Sequence, residues 1–285
     1  MKVMRAKTAG FCMGVGLALR KLDEAVAASA GRSGRLLMLG PIIHNPQALE
    51  AYAAKGVLRA DSLDDIRPGD TVVIRAHGIP REDETRLAAL GANVVDATCP
   101  KVKRAQLAIA EATADGRRLY LFGEAEHPEV RGLVSYAGGP CLVFDRQDAP
   151  SPPGRDEPAA VAAQTTQERS EFEALCARLA TGGAPLVVLS TICDATRRRQ
   201  DEAAALAREA DAVIVVGGRE SGNTRRLADV VRAAGIPALH VETAEELREE
   251  DSLRNYAIVG ITAGASTPKQ LIDAVQHFLE TQAGK

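Results

Sequence analysis

Three cysteines combine a reactive residue type with surroundings suited to metal chemistry. Cys12, Cys99 and Cys193 lie in different thirds of the chain, and the last two each follow an apolar run and a threonine just before the basic start of a helix. Three thiolates leave one iron of an iron–sulfur cluster open to a substrate. Structural zinc normally takes a fourth ligand with paired C-x-x-C spacing, which this sequence lacks. The alternative is that each cysteine is a buried or loop thiol.

The other two cysteines lie in apolar patterns. We predict that Cys141 and Cys176 are small buried hydrophobic residues without a chemical role. Five cysteines, an odd number, also fit a disulfide scaffold poorly in a chain of 285 residues. Cysteines near polar loops in a reducing compartment are more often metal ligands or catalytic groups.

Three of the five histidines lie in loops beside glycine or proline. His44, His77 and His127 occupy equivalent places after apolar runs, where their chemistry would be proton donation or anion binding near neutral pH. The alternative is a structural or solvated role for each. His240 and His277 lie within strand and helix patterns and are predicted to be structural.

Two glycine-rich segments follow apolar runs and open helices, at residues 217–224 and 260–268. Free backbone N–H groups at a helix N-terminus, together with serine and asparagine side chains, are typical of a phosphate site. Simple helix capping by Ser266 or Asn223 is the alternative. The lysine of a nucleotide-binding P-loop is absent, so hydrolysis of a nucleoside triphosphate is disfavoured.

Glu129 comes two residues after His127 and directly after a proline. From the residue pattern alone, we favour a solvated glutamate in the first turn of a helix, where it stabilises the helix dipole. The alternative is a proton source near a buried ligand.

The elements that must position these residues are short apolar strands alternating with amphipathic helices. This pattern predicts α/β architecture with mostly parallel sheets and a weak threefold repeat. Ligands of such sheets bind at the carboxyl ends of the strands. Nearly all the chemically capable residues lie in predicted strand-to-helix loops, namely His44, His77, Cys99, His127, Thr165, Cys193, Ser221, Asn223 and Ser266.

Composition narrows the class of protein further. A net charge of −3 provides no basic field, so we expect no nucleic-acid partner. No apolar run approaches the roughly 18 residues that span a bilayer, so we expect no membrane insertion. Lys7 and Arg20 interrupt any signal-peptide core, which predicts a cytoplasmic protein.

Taken together, the motifs resemble those of the 4-hydroxy-3-methylbut-2-enyl diphosphate reductase (LytB) family. The matching segments run in family order through nearly the whole chain and comprise residues 10–15, 40–46, 75–78, 96–100, 127–132, 164–166, 191–193, 221–224 and 262–266. The resemblance implies three similar α/β domains in a pseudo-threefold trefoil around a central cluster. We place their boundaries at 14–95, 96–193 and 194–280, with residues 1–13 as an N-terminal strand and cluster-ligand loop.

The resemblance also implies an activity and a cofactor. One [4Fe–4S] cluster per chain would be held by Cys12, Cys99 and Cys193, and its fourth iron would bind the substrate hydroxyl. The reaction would remove that hydroxyl with two electrons and two protons. It would give isopentenyl and dimethylallyl diphosphates, the last step of the non-mevalonate isoprenoid pathway. The electron donor would be a protein such as ferredoxin or flavodoxin.

Residue roles carried over from the family follow the same order. Glu129 would be the proton donor, with Thr165 in the relay and Gln164 beside it, and His127 would line the site. The diphosphate would be held by His44, His77, Ser221, Asn223 and Ser266. The family often has a second serine where this chain has Gly222. A backbone N–H or a water would take over that contact, so the departure bears on diphosphate affinity.

Two other hypotheses compete with the reductase. One is a non-catalytic protein of the same fold that binds a phosphorylated metabolite or senses oxidants through its cysteines. The other is a phosphate-binding α/β enzyme without a cluster, whose thiols are buried.

Overall fold

The structure, a computed structural model, describes residues 1–29 and 34–282. Within these residues, twelve strands are β1 (Lys2–Arg5), β2 (Leu36–Leu39), β3 (Leu58–Ala60), β4 (Thr71–Ile74), β5 (Asn93–Asp96), β6 (Arg118–Phe122), β7 (Cys141–Phe144), β8 (Ala159–Ala163), β9 (Leu186–Val188), β10 (Ala212–Val216), β11 (Ala238–Val241) and β12 (Ile258–Ala263). Nine α-helices in the same residues are α1 (Met13–Ser29), α2 (Pro46–Ala53), α3 (Arg81–Ala89), α4 (Pro100–Ala112), α5 (Pro128–Val134), α6 (Arg169–Ala180), α7 (Asp194–Glu209), α8 (Gly222–Ala233) and α9 (Lys269–Gln282).

The strands form three four-stranded sheets in which every pair is parallel. Their orders are β3-β2-β4-β5, β7-β6-β8-β9 and β11-β10-β12-β1. We call them the first, second and third repeats. The predicted α/β class with parallel sheets in three similar parts is confirmed.

The three repeats share one topology. In each sheet the first and third strands of the repeat lie in the centre and the fourth lies at an edge. In the third repeat, β1 takes the place of the fourth strand, with Lys2 paired to Ile258 and Arg5 to Ile261. The strand nearest the N-terminus therefore completes the sheet built from the C-terminal part of the chain.

The chain forms two compact units. One contains Met1–Val15, Ile43–Glu50 and the described chain from Asp194 onward, and therefore holds the third repeat. The other contains the described part of Gly16–Ile42 together with Ala51–Cys193, and holds the first and second repeats. The three domain boundaries predicted from the sequence stay a prediction.

The central strands are buried on both faces because helices cover each sheet. Every residue of β8 and of β10 is buried, as expected for parallel strands with near-continuous apolar sequences. The cores are mainly alanine, valine, leucine and isoleucine, with Phe122 and Phe144 stacked at 5.9 Å in the second repeat.

Helix starts follow from local sequence. Pro100 and Pro128 occupy the first turns of α4 and α5, where the missing N–H has no intrahelical acceptor to lose. On α4, a buried stripe recurs at helical spacing and comprises Val102, Ala105, Gln106 and Ile109.

Among the described helices, none is long and apolar enough to cross a membrane.

Candidate active site

The predicted site residues occupy equivalent loops of the three repeats. Each loop follows the carboxyl end of a strand, the usual ligand-binding edge of a parallel sheet. Loops after the first strands carry His44, His127 and Ser221, and Gly222 and Asn223 follow directly in the first turn of α8. Loops after the third strands carry His77, Gln164–Thr165 and Ser266. Loops after the fourth strands carry Cys99, Cys193 and Cys12.

The same backbone hydrogen bond anchors each of the three cysteines. The N–H of the cysteine donates to a carbonyl in the loop after the third strand of its own repeat. The N–O distances are 3.1 Å for Cys12 to Ala265, 2.9 Å for Cys99 to Ala76 and 3.0 Å for Cys193 to Thr165. Ala265 and Ala76 directly precede Ser266 and His77. Every cysteine is therefore tied to a residue that is, or adjoins, a predicted substrate-binding residue.

The site residues fall into two groups, one in each unit. The unit with the third repeat contains Cys12, His44, Ser221, Gly222, Asn223 and Ser266. The unit with the first and second repeats contains His77, Cys99, His127, Glu129, Gln164, Thr165 and Cys193.

Glu129 is a buried acid held by Thr165. Its side chain is almost fully enclosed, with the residue 1% exposed. Thr165 N–H donates to Glu129 Oε1 at 2.6 Å, and the Thr165 hydroxyl lies 3.0 Å from Oε2. Burial raises the pKa of Glu129 from 4.5 to about 7, against the lowering effect of the two Thr165 bonds. The solvated glutamate favoured by the sequence pattern is therefore wrong.

His127 caps the helix that carries Glu129. Its Nδ1 accepts the Glu129 N–H at 3.1 Å, which assigns the neutral tautomer with the proton on Nε2. The ring also packs edge-on against His77, with centroids 5.2 Å apart and planes at 86°. The cap and the contact with His77 thus fix the orientation of the ring.

Gln164 is fully buried beside Thr165. Its Oε1 accepts the Glu124 N–H at 3.1 Å, while Nε2 has no hydrogen-bond partner among the described residues. A buried amide donor without an acceptor is costly in an apolar interior. Its orientation therefore indicates a polar ligand or water at this place.

The helix α8 presents polar groups at its start. Ser221 is the cap residue and accepts the Thr224 N–H at 3.4 Å. Asn223, one of the two capping residues that the alternative interpretation named, is therefore not the cap of α8. Asn223 is buried and its Nδ2 lacks a partner among the described residues. Ser266 Oγ instead donates to the carbonyl of His44 at 3.1 Å.

Close packing explains two glycines of the predicted phosphate segments. Gly217 has φ of +143°, and an added Cβ would lie 2.4 Å from Thr267 Oγ1. At Gly264 an added Cβ would lie 2.0 Å from Thr224 Oγ1. Only glycine leaves room for the threonines that start α8 and precede α9.

The thiols have the chemistry that an iron–sulfur cluster requires. All five cysteines are within the described residues, are half-buried and form no disulfide. Cys12 Sγ accepts the Val15 N–H at 3.4 Å. Cys12, Cys99 and Cys193 therefore fit as cluster ligands.

Cys141 and Cys176 differ from these three. They are half-buried rather than fully buried, and they pack against the hydrophobic cores of the second repeat. Burial raises the pKa of each thiol to about 11. A thiol that keeps its proton is a poor metal ligand, which supports the predicted lack of a chemical role.

The sequence analysis did not identify Gln106, a polar side chain on α4 that lies near Gly78 and Gly132. Gln106 is fully buried and both of its amide atoms lack partners among the described residues. Its Nε2 lies 3.1 Å from the position of a Cβ added at Gly78 and 3.4 Å from one added at Gly132. A polar residue within the core stripe of α4 is the signal that identifies it.

The fold and the site define an α/β protein of three repeated parallel sheets, with cysteines outside disulfides in the loops at their carboxyl ends and a buried acid in the first turn of α5. The sequence profile of the LytB protein family matches residues 3–280. The chain belongs to this family, and the resemblance inferred from its motifs is confirmed.

Relatives match over the full length. The chain is 57% identical to the 4-hydroxy-3-methylbut-2-enyl diphosphate reductase of Nitratidesulfovibrio vulgaris (strain Miyazaki F), over 99% of this chain and 100% of the relative. It is 54% identical to the enzyme of the same name from Desulfovibrio desulfuricans (strain ATCC 27774), with the same coverage.

Two solved structures of reductases are similar to this chain over nearly its whole length. A structure of (E)-4-hydroxy-3-methyl-but-2-enyl diphosphate reductase, described as the terminal enzyme of the non-mevalonate pathway, is 38% identical with a TM-score of 0.70, covering 99% of this chain and 100% of the other. The E-1-hydroxy-2-methyl-but-2-enyl-4-diphosphate reductase of Plasmodium falciparum is 23% identical with a TM-score of 0.89, covering 98% and 87%. The second likeness supports the fold alone.

Proposed function

We propose that this protein reduces 4-hydroxy-3-methylbut-2-enyl diphosphate to isopentenyl and dimethylallyl diphosphates. The observation that carries the proposal is the buried Glu129–Thr165 pair. Thr165 fixes both carboxyl oxygens of Glu129 through its N–H and hydroxyl, and its carbonyl accepts the N–H of Cys193. A proton donor and a thiol ligand thus share one residue. Full-length relatives named for this reaction support the same conclusion.

One [4Fe–4S] cluster per chain, held by Cys12, Cys99 and Cys193, is part of the proposal. Three cysteines outside any disulfide, at equivalent loop positions, support this ligand set. When bound, the cluster would supply electrons and an open iron that acts as a Lewis acid on the substrate hydroxyl.

Glu129 provides a proton for the departing hydroxyl. With a pKa raised by burial to about 7, the acid is substantially protonated at neutral pH. When protonated, Oε2 donates to the Thr165 hydroxyl, because Oε1 already accepts the Thr165 N–H. The hydroxyl of Thr165 can then pass its own proton onward. Thr165 thereby serves as a relay as well as an anchor. The balanced reaction consumes two electrons and two protons and releases one water.

Diphosphate binding relies on neutral donors. In the unit with the third repeat, these are the Asn223 amide and the free N–H groups at the start of α8. The N–H of Gly222, in the first turn of α8, has no intrahelical acceptor and replaces the hydroxyl of the missing serine. His127 would line the site near the substrate, a role carried over from the family. The roles of His44, His77, Ser221, Ser266 and Gln164 rest on the family resemblance.

An external protein must deliver the electrons. A ferredoxin or flavodoxin is the donor proposed from the family resemblance. The cytoplasmic location stays a prediction.

An iron count combined with substrate turnover tests the proposal. Chain reconstituted without oxygen should hold about four irons and convert 4-hydroxy-3-methylbut-2-enyl diphosphate with an artificial reductant. Glu129→Gln should keep the iron and lose nearly all turnover, because the amide cannot donate the required proton. The exposed Glu126, in the loop that precedes α5, provides the matched control as Glu126→Gln.

The outcomes separate the three hypotheses. Iron binding without turnover supports a binding or sensing protein of the same fold. Turnover that survives prolonged exposure to air supports an enzyme without a cluster. Unchanged turnover in Glu129→Gln refutes the proton-donor role.

A further inference from the structure

The loop that carries Cys12 is the longest of the three cysteine loops. Between the end of the edge strand and the cysteine lie residues 6–11, compared with 97–98 before Cys99 and 189–192 before Cys193. A longer segment has more conformations to lose before its thiol reaches a fixed position. The Cys12 loop therefore needs additional anchoring if its thiol is to be held ready for a ligand.

Glu202 on α7 anchors the first part of this loop. Its Oε1 accepts the Lys7 N–H at 2.7 Å. Its Oε2 accepts the Thr8 N–H at 2.8 Å and the Thr8 hydroxyl at 2.5 Å. These bonds hold the pKa of Glu202 below its ordinary value despite partial burial, which acts in the opposite direction. One carboxylate thus satisfies two consecutive backbone donors.

Arg199, one turn earlier on α7, anchors the second part. Its Nη2 donates to the Gly10 carbonyl at 2.6 Å, and its Nη1 donates to the Ala195 carbonyl at 3.2 Å. The residue is 4% exposed. Burying a guanidinium is unfavourable unless its donors are satisfied. The contact to Gly10, two residues before Cys12, satisfies one of these donors and ties the guanidinium to the Cys12 loop.

We propose that Arg199 and Glu202 are positioning residues that fix Cys12 as a ligand before the cluster arrives. Together with the bond from Cys12 N–H to the Ala265 carbonyl, they tie the loop down at Lys7, Thr8, Gly10 and Cys12. The inference rests on the proposed function, since it assumes that Cys12 binds the cluster. Its test is separate because it begins with the iron-free chain.

The test compares the alkylation rates of individual cysteines in the iron-free, full-length chain. Iodoacetamide is the probe, and peptide mass spectrometry resolves Cys12 from Cys99 and Cys193. In Arg199→Met we expect Cys12 to react about tenfold faster because a charge-assisted bond is lost. Glu202→Gln should give about a threefold increase because one oxygen acceptor remains.

Exposed neighbours on the same helix provide matched controls. Arg198→Met and Asp201→Asn remove one charge each outside the loop contacts, and Cys12 should react as in the original chain. Arg199→Lys keeps a donor for Gly10 and should restore most of the protection. After reconstitution without oxygen and gel filtration, Arg199→Met should retain no more than about half of the iron, with the controls unchanged.

Two results would overturn the inference. One is an unchanged Cys12 rate in Arg199→Met and Glu202→Gln. The other is an increase shared equally by Cys12, Cys99 and Cys193, which indicates general destabilisation. If the original chain retains no iron, the proposed function fails, while the Cys12 rates still decide whether Arg199 and Glu202 position the loop.

Discussion

The buried acid predicts that Glu129 makes the stability of the fold depend on pH. The folded chain holds the Glu129 proton up to about pH 7, whereas an ordinary glutamate releases it near 4.5. Between these values the folded chain binds more protons than the unfolded chain, so the free energy of unfolding falls as pH rises. At 1.36 kcal/mol per pKa unit, the total loss is about 3 kcal/mol, and it is fully present above the folded pKa.

Glu129→Gln removes this dependence while keeping the shape of the side chain. Its Oε1 accepts the Thr165 N–H as before, and its Nε2 donates to the Thr165 hydroxyl. The variant should gain stability relative to the original chain by about 3 kcal/mol between pH 5 and pH 8. Comparing two chains at each pH cancels the titration of all other groups that the substitution leaves unaltered.

Urea unfolding of the iron-free, reduced chains, followed by far-ultraviolet circular dichroism at pH 5, 6, 7 and 8, measures this difference. Glu126→Gln, whose side chain is 86% exposed, should show no such trend. A stability difference between Glu129→Gln and the original chain that stays constant with pH would refute the raised pKa. The reasoning about proton donation would lose its basis with it.

Three further substitutions test other contacts. Gly264→Ala should lower the free energy of unfolding by about 3 kcal/mol or more, because its Cβ would lie 2.0 Å from Thr224 Oγ1. Thermal unfolding measures this loss, and an unchanged midpoint temperature would contradict the close packing at Gly264. Thr191→Val should lower the free energy of unfolding, measured in urea, by about 1–3 kcal/mol. The buried Thr191 hydroxyl accepts the Ala163 N–H at 2.8 Å and donates to the Ala163 carbonyl at 2.7 Å. Unchanged stability would contradict a stabilising role for these bonds. Cys176→Ser should leave the iron content unchanged, and a loss of iron would show a ligand role.

The sequence was sufficient for the α/β class because apolar strands and amphipathic helices have different periods. Short edge strands were harder to predict. In β3, Leu58 and Arg59 are exposed and only Ala60 is buried, which leaves no apolar run to recognise. The pairing of β1 with β12 is a contact between distant parts of the chain, and local periodicity carries no information about it.

The sequence shows the residue types of the candidate site but not the environment of each side chain. Glu129 has the same local sequence whether it is solvated or enclosed. Its burial depends on a fold that brings Thr165 to both of its oxygens. The contacts of Arg199 and Glu202 with the Cys12 loop likewise join opposite ends of the sequence. Such residues are surface-like by type, so only the structure identifies them.

The N-terminal strand β1 belongs to the sheet of the third repeat, and this pairing has a consequence for biosynthesis. The strands of the first and second repeats are contiguous, so each of these sheets can form as its segment leaves the ribosome. In contrast, β1 is made first but finds its partner only when β12 emerges. Until then Cys12 lacks the Ala265 carbonyl that anchors it. The position of Cys12 is therefore fixed only after these late segments have emerged, so a cluster held as proposed would be completed after synthesis of the C-terminal sheet.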